Sequence, residues 1–207
     1  MTTGDRPSSA QAATEVVGLI LAAGQSRRMG SPKLTLPWRG GVTVIETVVS
    51  ALRDGGVPRV VVVVGEARAA IEQALARQAV EIVENRLAAE REMIGSIQTG
   101  LQALGSEVRA AVLTPGDLPE LQPGTVRMVI AAWLTSPSRP CLPVFAGRRG
   151  HPVVLPRSHW AGVLGLGKGE SLRSYLRLHR AEIQEVVVSD AGIRADIDTP
   201  EEYRAGR

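Results

Sequence analysis

A single cysteine, Cys141, rules out an intramolecular disulfide or a cysteine-built metal cluster, and this fits a reducing cytoplasm. The thiol reads as a small buried hydrophobe. Aromatic residues make up only 3% of the 207 positions while hydrophobic residues make up 44%, so the core must come from Val, Leu, Ile and Ala. The net charge of +3 is spread along the chain, and no run of five or more Lys/Arg with interleaved aromatics appears, so nucleic acid is not the expected partner. No stretch approaches the ~20 apolar residues of a membrane span, and the opening MTTGDRPSSAQAATE has no apolar leader core. The expectation is a cytoplasmic protein without a membrane partner, with residues 1–14 a disordered tail and 15–207 a single domain.

Apolar runs alternate with helical patterns. Val16 to Leu21, Val60 to Val64, Val80 to Val83 and Ala110 to Leu113 read as strands, the first two without polar alternation and so buried on both faces. Between them, Thr43 to Leu52, Ala67 to Arg77 and Glu92 to Leu104 carry apolar residues at helical spacing. This predicts an α/β fold, a three-layer α/β/α sandwich on a mostly parallel, Rossmann-like sheet. After Pro123 a helix runs to Leu134. Two short apolar runs follow, Pro140 to Phe145 and Pro152 to Leu155, with Gly147-Arg148-Arg149-Gly150 read as their hairpin connection. A helix over Ser171 to His179 and a strand over Ile183 to Val188 lead to a closing Asp196-Ile197-Asp198-Thr199-Pro200.

The segment LAAGQSRRMGSPK, Leu21 to Lys33, follows the first strand, and a Gly-rich, basic loop in that position suits a phosphate. Gly24 and Gly30 let backbone N–H groups turn inward, and Arg27, Arg28 and Lys33 add positive charge. It is not a Walker A loop, because Ser31-Pro32-Lys33 follows Gly30, and Gly24-Gln25-Ser26 lacks the second glycine of a dinucleotide fingerprint. Ligands of open α/β sheets bind at the carboxyl ends of strands, where both Gly24 and Asp117 fall. Asp117, stiffened within Pro115-Gly116-Asp117-Leu118-Pro119, is the best Mg²⁺ ligand candidate. Asp196 and Asp198 are candidate second ligands on one face of an extended segment, with Asp198 equally able to cap a helix starting at Pro200.

The loop resembles the nucleotidyltransferase signature LAAGxSxRMGxxK at Leu21, Ala22, Ala23, Gly24, Ser26, Arg28, Met29, Gly30 and Lys33. MIGSIQTGL, PGDLP, GRRGHPV and DIDTPEEY follow in the same order as in MobA-like nucleotidyltransferases. Within these the chain is most similar to molybdenum cofactor cytidylyltransferases, over about Val16 to Tyr203. The resemblance implies a glycosyltransferase-A-like nucleotidyltransferase fold and Mg²⁺-dependent transfer of CMP from CTP to a phosphorylated acceptor such as molybdopterin, with pyrophosphate released. A molybdoenzyme client would be a further partner. The loop and Arg28 would hold the triphosphate, Lys33 would act on charge building at the α-phosphate, and Asp117 would hold the metal.

Met93 to Ser96 falls at the expected start of a helix, where Met93 and Ser96 would meet base or ribose or merely belong to an ordinary capped helix. His151 reads as a positioning residue on the acceptor side before a general base, and Arg148 and Arg149 as acceptor contacts or an exposed hairpin tip. His159 and His179 have no partner at metal-ligand spacing and read as surface residues. Glu170 stands in Gly167-Lys168-Gly169-Glu170 where these cytidylyltransferases commonly show aspartate. The alternatives are a GTP-using guanylyltransferase, a sugar-phosphate nucleotidyltransferase and a non-catalytic cofactor-binding chaperone. A nicotinamide oxidoreductase is disfavoured by the missing glycine fingerprint.

Overall fold

The computed structural model describes residues 16–24, 32–86 and 88–206; the expected tail lies outside them. Apolar runs buried on both faces become the centre of a sheet. β1 (Val16–Ala22) pairs in parallel with β2 (Val60–Val64) and with β4 (Ala110–Pro115), and β3 (Glu81–Glu84) adds to β2. The register sets Ile20 between Val62 and Thr114. β7 (Val153–Pro156) joins β4 antiparallel. β5 (Cys141–Phe145) pairs antiparallel with β7 and with the short β6 (Arg148–Arg149), and parallel with β8 (Gln184–Val187).

The two-residue period of each strand divides its side chains between the faces. On one face Ile20, Val62 and Val112 pack under α1 (Val44–Asp54) and α4 (Pro123–Thr135), whose Val48, Leu52, Val126 and Trp133 are fully buried. On the other, Leu19, Val63 and Leu113 pack under α3 (Ala88–Ala103), α5 (Trp160–Leu164) and α6 (Leu172–Leu178). Every residue of Val60–Val64 is at most 1% exposed, and full burial of one such side chain is worth about 1.5–3 kcal/mol. The sandwich of helices on both faces of a mostly parallel sheet is the expected α/β architecture.

Local signals set the helix ends. Thr43 and Glu46 form a reciprocal capping box at the start of α1, and Ser171 and Ser174 do the same for α6. Some expectations are corrected. α2 (Arg68–Ala74) is shorter than Ala67 to Arg77, with Leu75 closing it, whereas α3 starts four residues before Glu92, because Ala88-Ala89-Glu90-Arg91 are all good helix formers. The hairpin turn is confined to Ala146-Gly147, both at positive φ, so Arg148 and Arg149 belong to a strand and not to a loop tip.

Candidate active site

Three segments distant in sequence meet beyond the carboxyl ends of β1 and β4. Pro32 holds an extended conformation that leads into a 3-10 turn, Lys33–Thr35, and buried Leu34 anchors that turn to the core. Gly116 N–H donates to Leu21 O (3.0 Å), so the PGDLP loop is fastened to the end of β1. A Cβ on Gly116 would lie 2.9 Å from Ile45 Cδ1 and 3.2 Å from Leu34 Cδ1, so a side chain here would push on the buried Ile45 and Leu34 methyls. Ile197 N–H donates to Asp117 O (3.1 Å) and brings in the closing motif.

Lys33 Nζ donates to Asp117 Oδ2 (2.6 Å), to Ile197 O (2.7 Å) and to Asp198 Oδ1 (3.0 Å). The lysine side chain is 13% exposed and the aspartates 18% and 33%, so solvent screens these pairs only partly. Burial is the largest single influence on the Lys33 ammonium and pulls its pKa down. The charges and hydrogen bonds of Asp117 and Asp198 together outweigh it and hold the pKa above that of an ordinary lysine. Asp117 Oδ1 is buried and has no hydrogen-bond partner among the described residues. An anionic oxygen left in that state is costly unless a cation or donor reaches it, and a hard dication with oxygen ligands is the natural match.

Asp198 is not the cap of the last helix. Thr199 caps α7 (Pro200–Gly206), with Glu202 N–H donating to Thr199 Oγ1 (3.2 Å), while Glu202 Oε2 accepts from the Asp198 and Thr199 N–H groups. The Asp198 carboxylate faces Lys33. Asp196 and Asp198 both line the cavity beside this cluster, as expected for a shared face.

That cavity, about 1330 Å³, is lined from Leu21 and Met93 on one side to Gly147–His151 and Arg194 on the other. His151 sits where β4 and β7 meet, its Nδ1 3.4 Å from Leu113 O and its N–H donating to Ile193 O (2.9 Å). Burial lowers the imidazole pKa, against smaller raising effects of Leu113 O, Asp117 and Asp196, so the ring is neutral near neutral pH. The far wall is basic. Arg148 and Arg149 were expected there, with Arg149 Nε donating to Glu185 Oε1 (2.7 Å). Arg173, Arg177, Arg180 and Arg194 were not expected there, although Arg173 and Arg177 are one helical turn apart on α6 and their spacing was a readable signal.

Four expected nucleotide contacts, Ser26, Arg28, Met29 and Gly30, lie outside the described residues, as does Arg27. Ala22 and Ala23 are buried at the end of β1, and Gly24 is exposed. The helix-start reading of Met93 to Ser96 is corrected, since these residues lie beyond the first turn of α3, where backbone N–H groups bond within the helix. Met93 is exposed at the cavity, whereas Ser96 is buried and its hydroxyl accepts from Asn85 Nδ2 (3.1 Å). The rest of that motif holds the scaffold. Gln98 Nε2 donates to Val163 O, Leu164 O and Leu166 O at the end of α5, and Gly100 lets α3 close onto Leu19. Glu170 Oε2 accepts from Gly167 N–H (2.6 Å) and closes the turn before α6. Cys141 is buried, and burial pushes its thiol pKa up to about 11, which removes it as a nucleophile.

His159 departs from the surface reading, whereas His179 stays half-exposed. His159 is buried and its ring meets that of His179. No helix among the described residues is long and apolar enough to cross a membrane.

Comparison with known proteins agrees with the geometry. The chain is 27% identical to the molybdenum cofactor cytidylyltransferase of Escherichia coli strain K12, over 89% of this chain and 92% of that one. It is 30% identical to the nicotine blue oxidoreductase of Paenarthrobacter nicotinovorans, over 91% and 95% respectively. Among solved structures, Rv0371C of Mycobacterium tuberculosis H37Rv in complex with manganese superimposes with a TM-score of 0.75 at 25% identity, covering 93% of this chain and 97% of that one. The family model of the MobA-like NTP transferase domain matches residues 18–186, and the chain belongs to that nucleotidyltransferase family.

Proposed function

We propose that this protein transfers CMP from CTP to a phosphorylated small-molecule acceptor of the molybdopterin type, with Mg²⁺ and release of pyrophosphate. The observation that carries the reading is the convergence of Lys33, Asp117 and Asp198 at the ligand-binding edge of the sheet. An acceptor phosphate oxygen attacks the α-phosphorus of the nucleotide, and the bond from that phosphorus to the bridging oxygen of pyrophosphate breaks. No covalent protein intermediate is required.

Asp117, with Asp198 and Asp196 nearby, would hold the dication, and the orphaned Asp117 Oδ1 supports that fit. Bound Mg²⁺ supplies charge neutralisation on the phosphate oxygens. The N–H groups of Leu21 to Gly30, with Arg28 and Ser26, bind the triphosphate, while Ala22, Ala23, Met93 and Ser96 form or support the base and ribose side. Lys33 turns from the aspartates toward the α-phosphate as negative charge builds there. His151 stays neutral and orients the acceptor, and the arginines with Arg148 match an anionic acceptor. Residues 15–207 act as one catalytic unit.

Pyrophosphate release tests this with each of the four nucleotides, candidate phosphomonoesters and Mg²⁺. Release dependent on CTP and acceptor supports the reading, and release with GTP instead moves it to guanylyl transfer. An oxidoreductase is the second reading, on the name of the 30%-identical relative. Binding of NADH without metal, and no pyrophosphate with any nucleotide, would favour it.

A further inference from the structure

α6 ends at His179, and the 3-10 turn Arg180–Glu182 follows directly, so His179 and Glu182 project on the same side. His159 arrives from another 3-10 turn, Arg157–His159, after β7. The His159 and His179 rings stand edge to face with centroids 5.5 Å apart. Glu182 Oε1 lies 2.9 Å from His179 Nδ1, and Glu182 Oε2 lies 3.6 Å from His159 Nε2. One ligand atom of each residue lies within 4.8 Å of the other two. The group lines a second cavity of about 510 Å³ with Ser138, Arg139 and Ser158, and none of its residues borders the first cavity.

Tyr175 supplies an independent observation. Its hydroxyl lies 3.0 Å from His159 Nδ1, on a ring whose side chain is only 7% exposed. Metal-binding histidines are commonly fixed in this way by a hydrogen bond at the nitrogen that does not ligate. With the proton on Nδ1, Nε2 presents a lone pair toward the Glu182 carboxylate and toward Ser138 O, 3.3 Å away. In that tautomer a cation between them removes the repulsion, whereas with the proton on Nε2 the ring donates to Ser138 O and holds no metal. In a tetrahedron with metal–ligand bonds of about 2.0–2.2 Å, ligand atoms are about 3.3–3.6 Å apart. The pair buried on one side already has that spacing, and the half-exposed His179 and Glu182 side chains can adjust to it.

We propose that His159 Nε2, His179 Nδ1 and Glu182 form a binding site for a transition-metal dication of the Zn²⁺ class, with solvent completing the shell. Imidazole donors select such an ion over Mg²⁺, which wants oxygen ligands, so the site discriminates against the metal of the reaction. The bound ion would fasten the C-terminal end of α6 to the segment after β7. Because α6 carries Arg173 and Arg177, the clasp would also hold the basic wall of the first cavity in place.

The test is calorimetric titration of the chelator-stripped full chain with Zn²⁺ in excess Mg²⁺. One equivalent should bind, with Co²⁺ at the same site giving the strong visible absorption of a tetrahedral centre. His179→Ala and Glu182→Gln change half-exposed side chains and keep the fold, and each should lose that equivalent or weaken it by at least about 10-fold; Tyr175→Phe should weaken it by about 10- to 100-fold. Asp117→Asn should retain it. No bound equivalent in the wild type, unchanged affinity in His179→Ala and Glu182→Gln, or loss of the equivalent in Asp117→Asn would each overturn the assignment.

Discussion

Lys33 Nζ lies 2.6 Å from Asp117 Oδ2, although 84 residues separate the two in the chain. The ammonium neutralises carboxylates that would otherwise repel each other. Any ligand that draws the lysine away must therefore bring positive charge of its own, and a nucleotide accompanied by a dication does so.

Asp117→Asn is expected to lower pyrophosphate release by at least about 10²-fold while leaving the thermal transition cooperative, because it removes a hard anionic ligand at nearly constant size. Rates measured across a range of Mg²⁺ concentrations, alongside circular dichroism, check this. Turnover near the wild-type rate at limiting Mg²⁺ would contradict the role assigned to Asp117.

Lys33→Ala should reduce kcat by about 10²-fold and change nucleotide affinity far less, since its charge is needed most in the transition state. Steady-state kinetics with direct nucleotide titration separates the two effects. The variant also removes the ammonium that donates to both carboxylates, so its melting temperature should fall. A weaker Kd with unchanged kcat would place Lys33 on the ground-state phosphates.

CTP should bind in preference to GTP, and Ala23→Gly should erode the difference. The Ala23 methyl sits at the exit of β1, where a Cβ added to Gly65 would come within 3.3 Å of it. Displacement of a fluorescent nucleotide by unlabelled CTP, GTP, ATP and UTP measures the preference in both proteins. Stronger displacement by GTP in the wild type would refute the cytidylyl reading and leave nucleotidyl transfer standing.

His151 gives a stability prediction with a definite sign. Its folded pKa is below the ordinary value near 6.5, so under mildly acidic conditions the unfolded chain binds a proton that the folded chain refuses. Its contribution is constant above the unfolded pKa, and stability is lost as pH falls below about 6.5 toward the folded value. Melting curves between about pH 8 and about pH 5 should show a shallower acid decline for His151→Gln than for the wild type. Parallel declines would mean that the ring is protonated as readily in the folded protein as in the unfolded chain.

The layers of the fold were legible because Val60–Val64 and Val16–Leu21 are apolar without alternation, a pattern that only a sheet covered on both faces accommodates. Asp117 was legible because it follows a buried strand in a loop stiffened by two prolines, and Lys33 because it ends the Gly-rich, basic signature that follows β1. The Ser96 environment was not, because Ala88-Ala89-Glu90-Arg91 extends α3 backward and a helix start cannot be placed from apolar spacing alone. Nor was the His159, His179 and Glu182 group, since its members meet only through the packing of α6 against the segment after β7, a relation no spacing rule encodes. The arginine wall lies between these cases: α6 shows it in its spacing, while Arg180 and Arg194 join it only in three dimensions.

β7 runs against its neighbours β4 and β5. Reversing one strand exchanges which of its two loops reaches the ligand edge, so Gly150 and His151 enter the cleft by leading into a strand, while Asp117 does so by leaving one. The cleft is thus sewn from two kinds of seam. In the proposed reaction the outgoing loops of the parallel strands take the nucleotide, and the incoming loop of the reversed strand and the chain that follows it take the acceptor. On that reading, a change confined to the loop that leads into β7 alters the acceptor side and leaves the loops of the parallel strands as they are.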